Sequence, residues 1–173
     1  MKIHSQIKIQ KMKKVLFVIV FVMGVLVVNA QTGLTDFAGS WTLNTEKSTQ
    51  PKDGMRMGGG NFVAVQDSNL LTVERTKEIQ DVDSTNTILK YTLDGKESIN
   101  TSTGGDSKSV ANWSSDGKSL TIETSGTMDV NGEPTEIKST EVWALTDVKT
   151  LTVSSTRQGP DGEEITKLIY DKV

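Results

Sequence analysis

From Phe62 to the end of the chain, large apolar side chains recur at alternate positions in short runs. Leu71, Val73, Arg75 and Lys77 share one face of the stretch 70–79, and Leu89, Tyr91 and Leu93 share one face of 87–93. Leu120, Ile122 and Met128 are in phase over 120–130, and Leu151, Val153, Ser155 and Arg157 over 151–157. A period of two belongs to a strand with one dry and one wet face. The same pattern predicts strands over 62–66, 97–102, 108–114, 136–145 (with Trp143) and 164–170. An earlier run alternates Trp41 and Leu43 with Ser40, Thr42 and Asn44, after Phe37, and predicts the first strand. Trp41 is expected to plug the core at the start of a sheet. Gly39 removes side-chain bulk so that backbone can pass close to the indole.

Between the runs stand turn residues: Asp67-Ser68-Asn69, Asp81-Val82-Asp83-Ser84, Asp94-Gly95, Gly104-Gly105, Asp116-Gly117, Asn131-Gly132 and Pro160-Asp161-Gly162. Asp-Gly and Asn-Gly are hairpin signals. They recur roughly every 10 to 16 residues, and no helical period of useful length interrupts them. The fold expected is all-β, an antiparallel up-and-down barrel of about eight to ten strands. So many strands must hide two edges, and closure does that. A β-sandwich is the alternative, but it needs longer crossovers than these tight turns provide.

Residues 1–30 read differently. Lys2, Lys8, Lys11, Lys13 and Lys14 precede an apolar run of 14 residues from Val15 to Val28. Val28-Asn29-Ala30 supplies a cleavage site, so a mature chain beginning at Gln31 is expected. A membrane span needs about 20 apolar residues, so the run is short for one. The segment has the look of a bacterial export signal, and the expected location is the periplasm or the medium. Without cysteine, no lipid anchor can be attached. The domains expected are thus a signal peptide, 1–30, and one barrel domain, 31–173.

Removing the signal changes the composition. The five lysines leave with it, so 14 basic residues face 22 acidic ones, a net charge of about −8. A chain this acidic repels nucleic acid and anionic membrane. His4 is the only histidine and leaves too, so the mature chain has neither His nor Cys. That removes Ser-His-Asp and Cys-His catalysis, the usual zinc sites and disulfides. No catalytic residue, metal or cofactor is expected. Apolar residues number 41 of the remaining 143, against 37 Ser and Thr. That ratio suits strands whose inner face is not wholly dry.

Candidate chemistry is sparse. Asp81, Asp83 and Asn86 lack the bidentate glutamate and the remaining spacing of a calcium loop. Asp161, Glu163 and Glu164 read as a hydrated turn. Gly58-Gly59-Gly60 is followed by no lysine and no helix start, so it is not a phosphate loop. The stretch 49–60, with Pro51, Met55, Arg56 and Met57, reads as a loop. Arg75 and Arg157 share faces with apolar residues. Either they point inward toward a ligand anion, or, as the preferred reading, they reach water from strand ends or pair with a glutamate.

Phe37-x-Gly39-x-Trp41-x-Leu43 resembles the first strand of the fatty-acid-binding proteins and of the wider lipocalin-like superfamily. Tyr170-Asp171-Lys172-Val173 resembles their closing Tyr-Glu-Lys. The resemblance implies a barrel whose first and last strands meet, closed at one end by the tryptophan, and a small hydrophobic ligand inside. It departs from the family in two places. Residues 49–60 are too few and too glycine-rich for a helical lid. Leu168-Ile169-Tyr170 stands where the family has Arg-x-Tyr, and Trp143 falls where the other inner arginine would be. The resemblance then implies a cavity lined by Tyr91, Trp113, Trp143 and Tyr170 with few charges, and no strong preference for free fatty acids over their esters. The ligand-binding candidates are Arg75, Tyr91, Trp113, Trp143, Arg157 and Tyr170. The alternative is a structural or protein-interaction barrel with a filled core.

Overall fold

Alternation becomes strand at every predicted run. The computed structural model describes residues 33–49, 60–79, 82–102, 105–130, 133–159 and 162–173. Ten strands follow in chain order: β1 (Gly39–Leu43), β2 (Phe62–Gln66), β3 (Leu70–Ile79), β4 (Val82–Thr92) and β5 (Glu97–Ser102), then β6 (Gly105–Trp113), β7 (Ser119–Val130), β8 (Glu133–Asp147), β9 (Thr150–Gly159) and β10 (Gly162–Lys172). All pairings are antiparallel, in the order β4-β3-β2-β1-β10-β9-β8-β7-β6-β5. The first and last strands meet, with Trp41 opposite Lys172 and Leu43 opposite Tyr170. The result is an all-β, nearly closed barrel.

β4 and β5 stand at the two ends of that order, and side chains bridge them. Asn100 Oδ1 accepts from the Lys90 amide at 2.7 Å, and Asn100 Nδ2 donates to the Lys90 carbonyl at 3.0 Å. One step along, Ser98 Oγ accepts from the Thr92 amide at 2.9 Å. Asn100 and Ser98 are both buried. Buried backbone groups need partners, and here inward side chains provide them.

Several strands outrun the expected limits. Val82, Asp83 and Ser84 were expected in a turn but belong to β4, whose ladder with β3 continues to Val82 opposite Ile79 past an irregularity after Lys77. β6 starts at Gly105 opposite Ser102 rather than at Lys108. β8 runs from Glu133, opposite Val130. The cause is common to all three: a tight hairpin carries its ladder up to the turn, whereas apolar alternation stops where both faces are polar. The segment 1–30, most of the 49–60 loop with Met55, Arg56 and Met57, and Asp81, Gly104, Asn131, Gly132, Pro160 and Asp161 lie outside the described residues.

The core fills one end of the barrel. The turns 67–69, 94–96, 115–117 and 148–149 mark that end, and residues 35–38 lie against it. Gln66 holds this segment, accepting from the Phe37 amide at 3.0 Å and donating to the Thr35 carbonyl at 2.9 Å. Phe37 stacks on Trp113 at 5.7 Å and meets the edge of Trp143 at 5.9 Å. Trp41, Trp143, Leu71, Leu120 and Leu151 are at most 1% exposed. Trp41 is therefore the expected core plug, and its Nε1 donates to the Phe37 carbonyl at 2.9 Å. Gly39 makes room for a different neighbour from the one expected. Its φ is +144°, and a Cβ there would meet the Lys172 side chain, whose Nζ lies 5.2 Å from the Trp41 ring centre.

Candidate functional site

Residues opposite one another on paired strands share a face, with Cβ atoms about 5 Å apart. Reading the register across β6 to β10 therefore gives rows of side chains around the barrel interior. The row nearest the filled end is Trp113, Leu120, Trp143, Val153 and Leu168, all apolar. The next is Ala111, Ile122, Glu141, Ser155 and Thr166. The third is Ser109, Thr124, Ser139, Arg157 and Glu164, all polar. β3 repeats the gradient with Leu71, Val73 and Arg75, the first two fully buried. The interior is thus amphipathic along its axis, aromatic at one end and hydroxylic and charged toward the other.

A cavity of about 230 Å³ opens where the rows turn polar. Its walls come from β3 (Arg75), β8 (Ile137, Ser139, Glu141), β9 (Val153, Ser155, Arg157) and β10 (Glu164, Thr166, Leu168, Tyr170). Ser109 and Thr124 continue the polar row beyond it, their hydroxyls 2.8 Å apart.

The deep end of the cavity is a cluster of aromatic and charged groups. The Arg75 guanidinium lies 5.1 Å from the centre of the Phe62 ring, a cation–π contact. The Phe62 ring in turn meets Tyr170 at 4.9 Å and Trp143 at 5.3 Å. Trp143 Nε1 donates to Glu141 Oε2 at 2.9 Å, which aims that carboxylate into the cluster. Burial opposes the Arg75 charge. The Glu141 carboxylate and the Tyr170 hydroxyl, which accepts a hydrogen bond from Arg75, outweigh it and hold the guanidinium above its usual value. Burial pushes Tyr170 up, with Arg75 pulling the other way. Tyr91 is pushed well above the usual phenol range, by burial first and the Glu141 charge second. Both tyrosines are accordingly neutral donors and acceptors near neutral pH.

A second charged pair lies further out. Glu164 stands directly opposite Arg157 across the β9–β10 ladder, and both line the cavity. Among the described residues that line the cavity, two are arginines and two are glutamates.

Of the six residues expected to contact a ligand, three line this cavity: Arg75, Arg157 and Tyr170. Tyr91, Trp113 and Trp143 are packed in or against the core. Trp113 Nε1 is a buried nitrogen without a hydrogen-bond partner among the described residues. The expected lining of aromatics with few charges is corrected by Glu141 and Glu164. Trp143 lies on β8, and Arg75 of β3 hydrogen-bonds Tyr170 of β10. Arg75 sits in the body of its strand rather than near an end, and it interacts with a glutamate, Glu141, as the preferred reading allowed. The hydrated-turn reading holds for Glu163, exposed and bonded to Gln158 at 2.7 Å, but not for Glu164, which points inward. Parity was the available signal. Glu164 is in phase with Thr166, Leu168 and Tyr170, and Glu141 with Trp143.

The fold has a counterpart among solved structures. The crystal structure of zebrafish ileal bile acid-binding protein complexed with cholic acid superposes with a TM-score of 0.52 at 18% identity, covering 79% of this chain and 98% of that one. At that identity the likeness is one of fold. No family model matches the chain. No curated protein matches it either.

Proposed function

We propose that this chain is an exported binding barrel for a small amphipathic molecule. The ligand lies with its apolar part against Val153 and Leu168 and its polar part toward Arg157 and Glu164. The observation that carries this reading is the passage from an apolar row to a hydroxylic and charged row along one cavity. The size of the cavity limits the occupant. At about 230 Å³ it falls below the roughly 300–1,000 Å³ of drug-sized pockets, so the molecule is short or only partly enclosed. The likeness to a barrel crystallised with cholic acid supports an interior site. Function is by binding and not by catalysis, in keeping with a mature chain that has no His or Cys. Export, to the periplasm or the medium, rests on residues 1–30.

One observation favours a second reading, a barrel that meets another protein. Val63, Val65 and Ile88 are exposed on the outer face of β2 and β4. Val63 and Ile88 flank Glu74 in register.

Native mass spectrometry of the protein purified from its own host, beside a denatured control, tests both. A small mass that leaves on denaturation supports the binding barrel. A clean apo mass, with no quenching of Trp41, Trp113 or Trp143 by a panel of lipids, overturns it in favour of the second reading. The same spectra show whether the chain begins at Gln31, and a chain that retains residues 1–30 overturns cleavage.

A further inference from the structure

Resting on the binding reading above, we infer that the cavity selects an uncharged amphiphile whose polar end is a hydroxyl, and that Glu141 is the residue that excludes carboxylates. The inference starts from charge balance. Arg75 and Glu141 line the same cavity, and Trp143 holds the carboxylate in place through its indole N–H at 2.9 Å. Arg157 and Glu164 repeat the arrangement one level out, opposite each other in register. A ligand carboxylate brought to either arginine would meet a protein carboxylate nearby, and like charges repel. A ligand ammonium would meet the arginines in the same way.

A hydroxyl suits both partners at once. It accepts from the Arg75 guanidinium or the Tyr170 phenol, and it donates to Glu141. An ester or a ketone accepts but has nothing to donate, which leaves the carboxylate short of a partner. The remaining polar wall is itself hydroxylic, with Ser139, Ser155 and Thr166. The apolar part of the amphiphile lies on Val153 and Leu168.

Isothermal titration of the protein purified from its host with octanol and with octanoate at neutral pH tests this. The wild-type protein is expected to bind octanol roughly ten-fold or more tightly than octanoate. Glu141→Gln keeps an oxygen that accepts from Trp143 but removes the charge, so it should largely abolish the preference, raising octanoate affinity roughly ten-fold. If Glu141→Gln does not fold, Glu164→Gln removes the outer carboxylate and should raise octanoate affinity in the same direction by a smaller factor. Wild-type binding of octanoate as tight as that of octanol overturns the selectivity and leaves the binding barrel standing. Octanol preference that persists unchanged in the folded variants overturns the role of the carboxylates. Absence of binding by either probe, with a clean apo mass, removes the binding barrel and this inference with it.

Discussion

The side-chain amide of Asn100 makes to Lys90 the two hydrogen bonds that a neighbouring strand would have made. One runs at 2.7 Å from the Lys90 amide and one at 3.0 Å to its carbonyl. Elsewhere in the sheet the backbone of each strand serves its neighbour. At the β4–β5 seam the inward side chains of Asn100 and Ser98 do so.

Asn100→Ala should therefore cost more than a surface polar deletion. It leaves the part-buried amide and carbonyl of Lys90 without their side-chain partner, a loss of about 1–3 kcal/mol. Asn100→Asp should cost at least as much as the alanine at neutral pH, because it keeps the acceptor but sets a buried carboxylate oxygen against the Lys90 carbonyl. Urea unfolding gives the stabilities, and amide exchange at Lys90 shows whether the loss is local to the seam. Slow exchange at Lys90 in Asn100→Ala would mean that the seam is held by something else.

The two ends of the interior should respond differently to truncation. Leu71 is fully buried in the filled end, and Leu71→Ala should cost about 2–5 kcal/mol. Leu168 is only partly buried and already borders the cavity. Leu168→Ala enlarges an existing space and should cost less. Equal losses in urea titrations would mean that the barrel is filled throughout.

Trp113 and Trp143 provide a matched test. The Trp143 indole donates to Glu141, whereas the buried Trp113 nitrogen has no partner among the described residues. Trp143→Phe removes a hydrogen bond to a charged group and should cost about 1.5–3 kcal/mol beyond the lost ring volume. Trp113→Phe removes a buried donor that satisfies nothing, so its cost should be that of the volume alone. Chemical denaturation of the two variants measures the difference.

Only Tyr91 and Tyr170 supply phenols in this chain, so its alkaline absorbance titration reports on the interior. Burial raises both above the ordinary value of 10.0. A raised folded value means that the unfolded chain loses its protons first as pH rises. The stabilisation is then complete below about pH 10 and falls as pH climbs through the folded values. Phenolate absorbance should lag behind that of free tyrosine and reach it on unfolding. A titration matching free tyrosine in the folded protein would contradict the burial.

Gly39→Ala should destabilise for two separable reasons, a φ of +144° and the collision with Lys172. The backbone strain is of the order of 1–3 kcal/mol. Adding Lys172→Ala should relieve the collision but not the strain, so thermal unfolding of the double variant should recover only part of the loss.

Much of this architecture was legible in the residues. Period-two alternation and Asp-Gly turns located every strand, and Trp41 with Tyr170 announced that the first and last strands meet. Phase also gave the inward rows, since Leu71, Val73 and Arg75 were already on one face. The composition of the cavity was harder to read. A glutamate beside a turn, such as Glu164, is hydrated in most strands, and nothing in one strand's alternation says which face will close over a cavity. Only the register brings Glu164 opposite Arg157 and Arg75 near Glu141. The β4–β5 seam was equally hidden, because an asparagine that replaces a strand looks like any other polar residue in one.

The pairing of β1 with β10 bears on how the molecule is made. Every other neighbouring pair in the strand order joins strands consecutive in sequence, all but β1 and β2 through a short turn. Those contacts are local and can form as soon as each turn has been synthesised. Trp41 must wait for Lys172, nearly the whole chain later, before its strand gains its second neighbour. Until then β1 presents an unpaired edge and the barrel has no closed form. The last few residues thus act as the latch, and a chain shortened before Tyr170 would keep its hairpins while losing the ring.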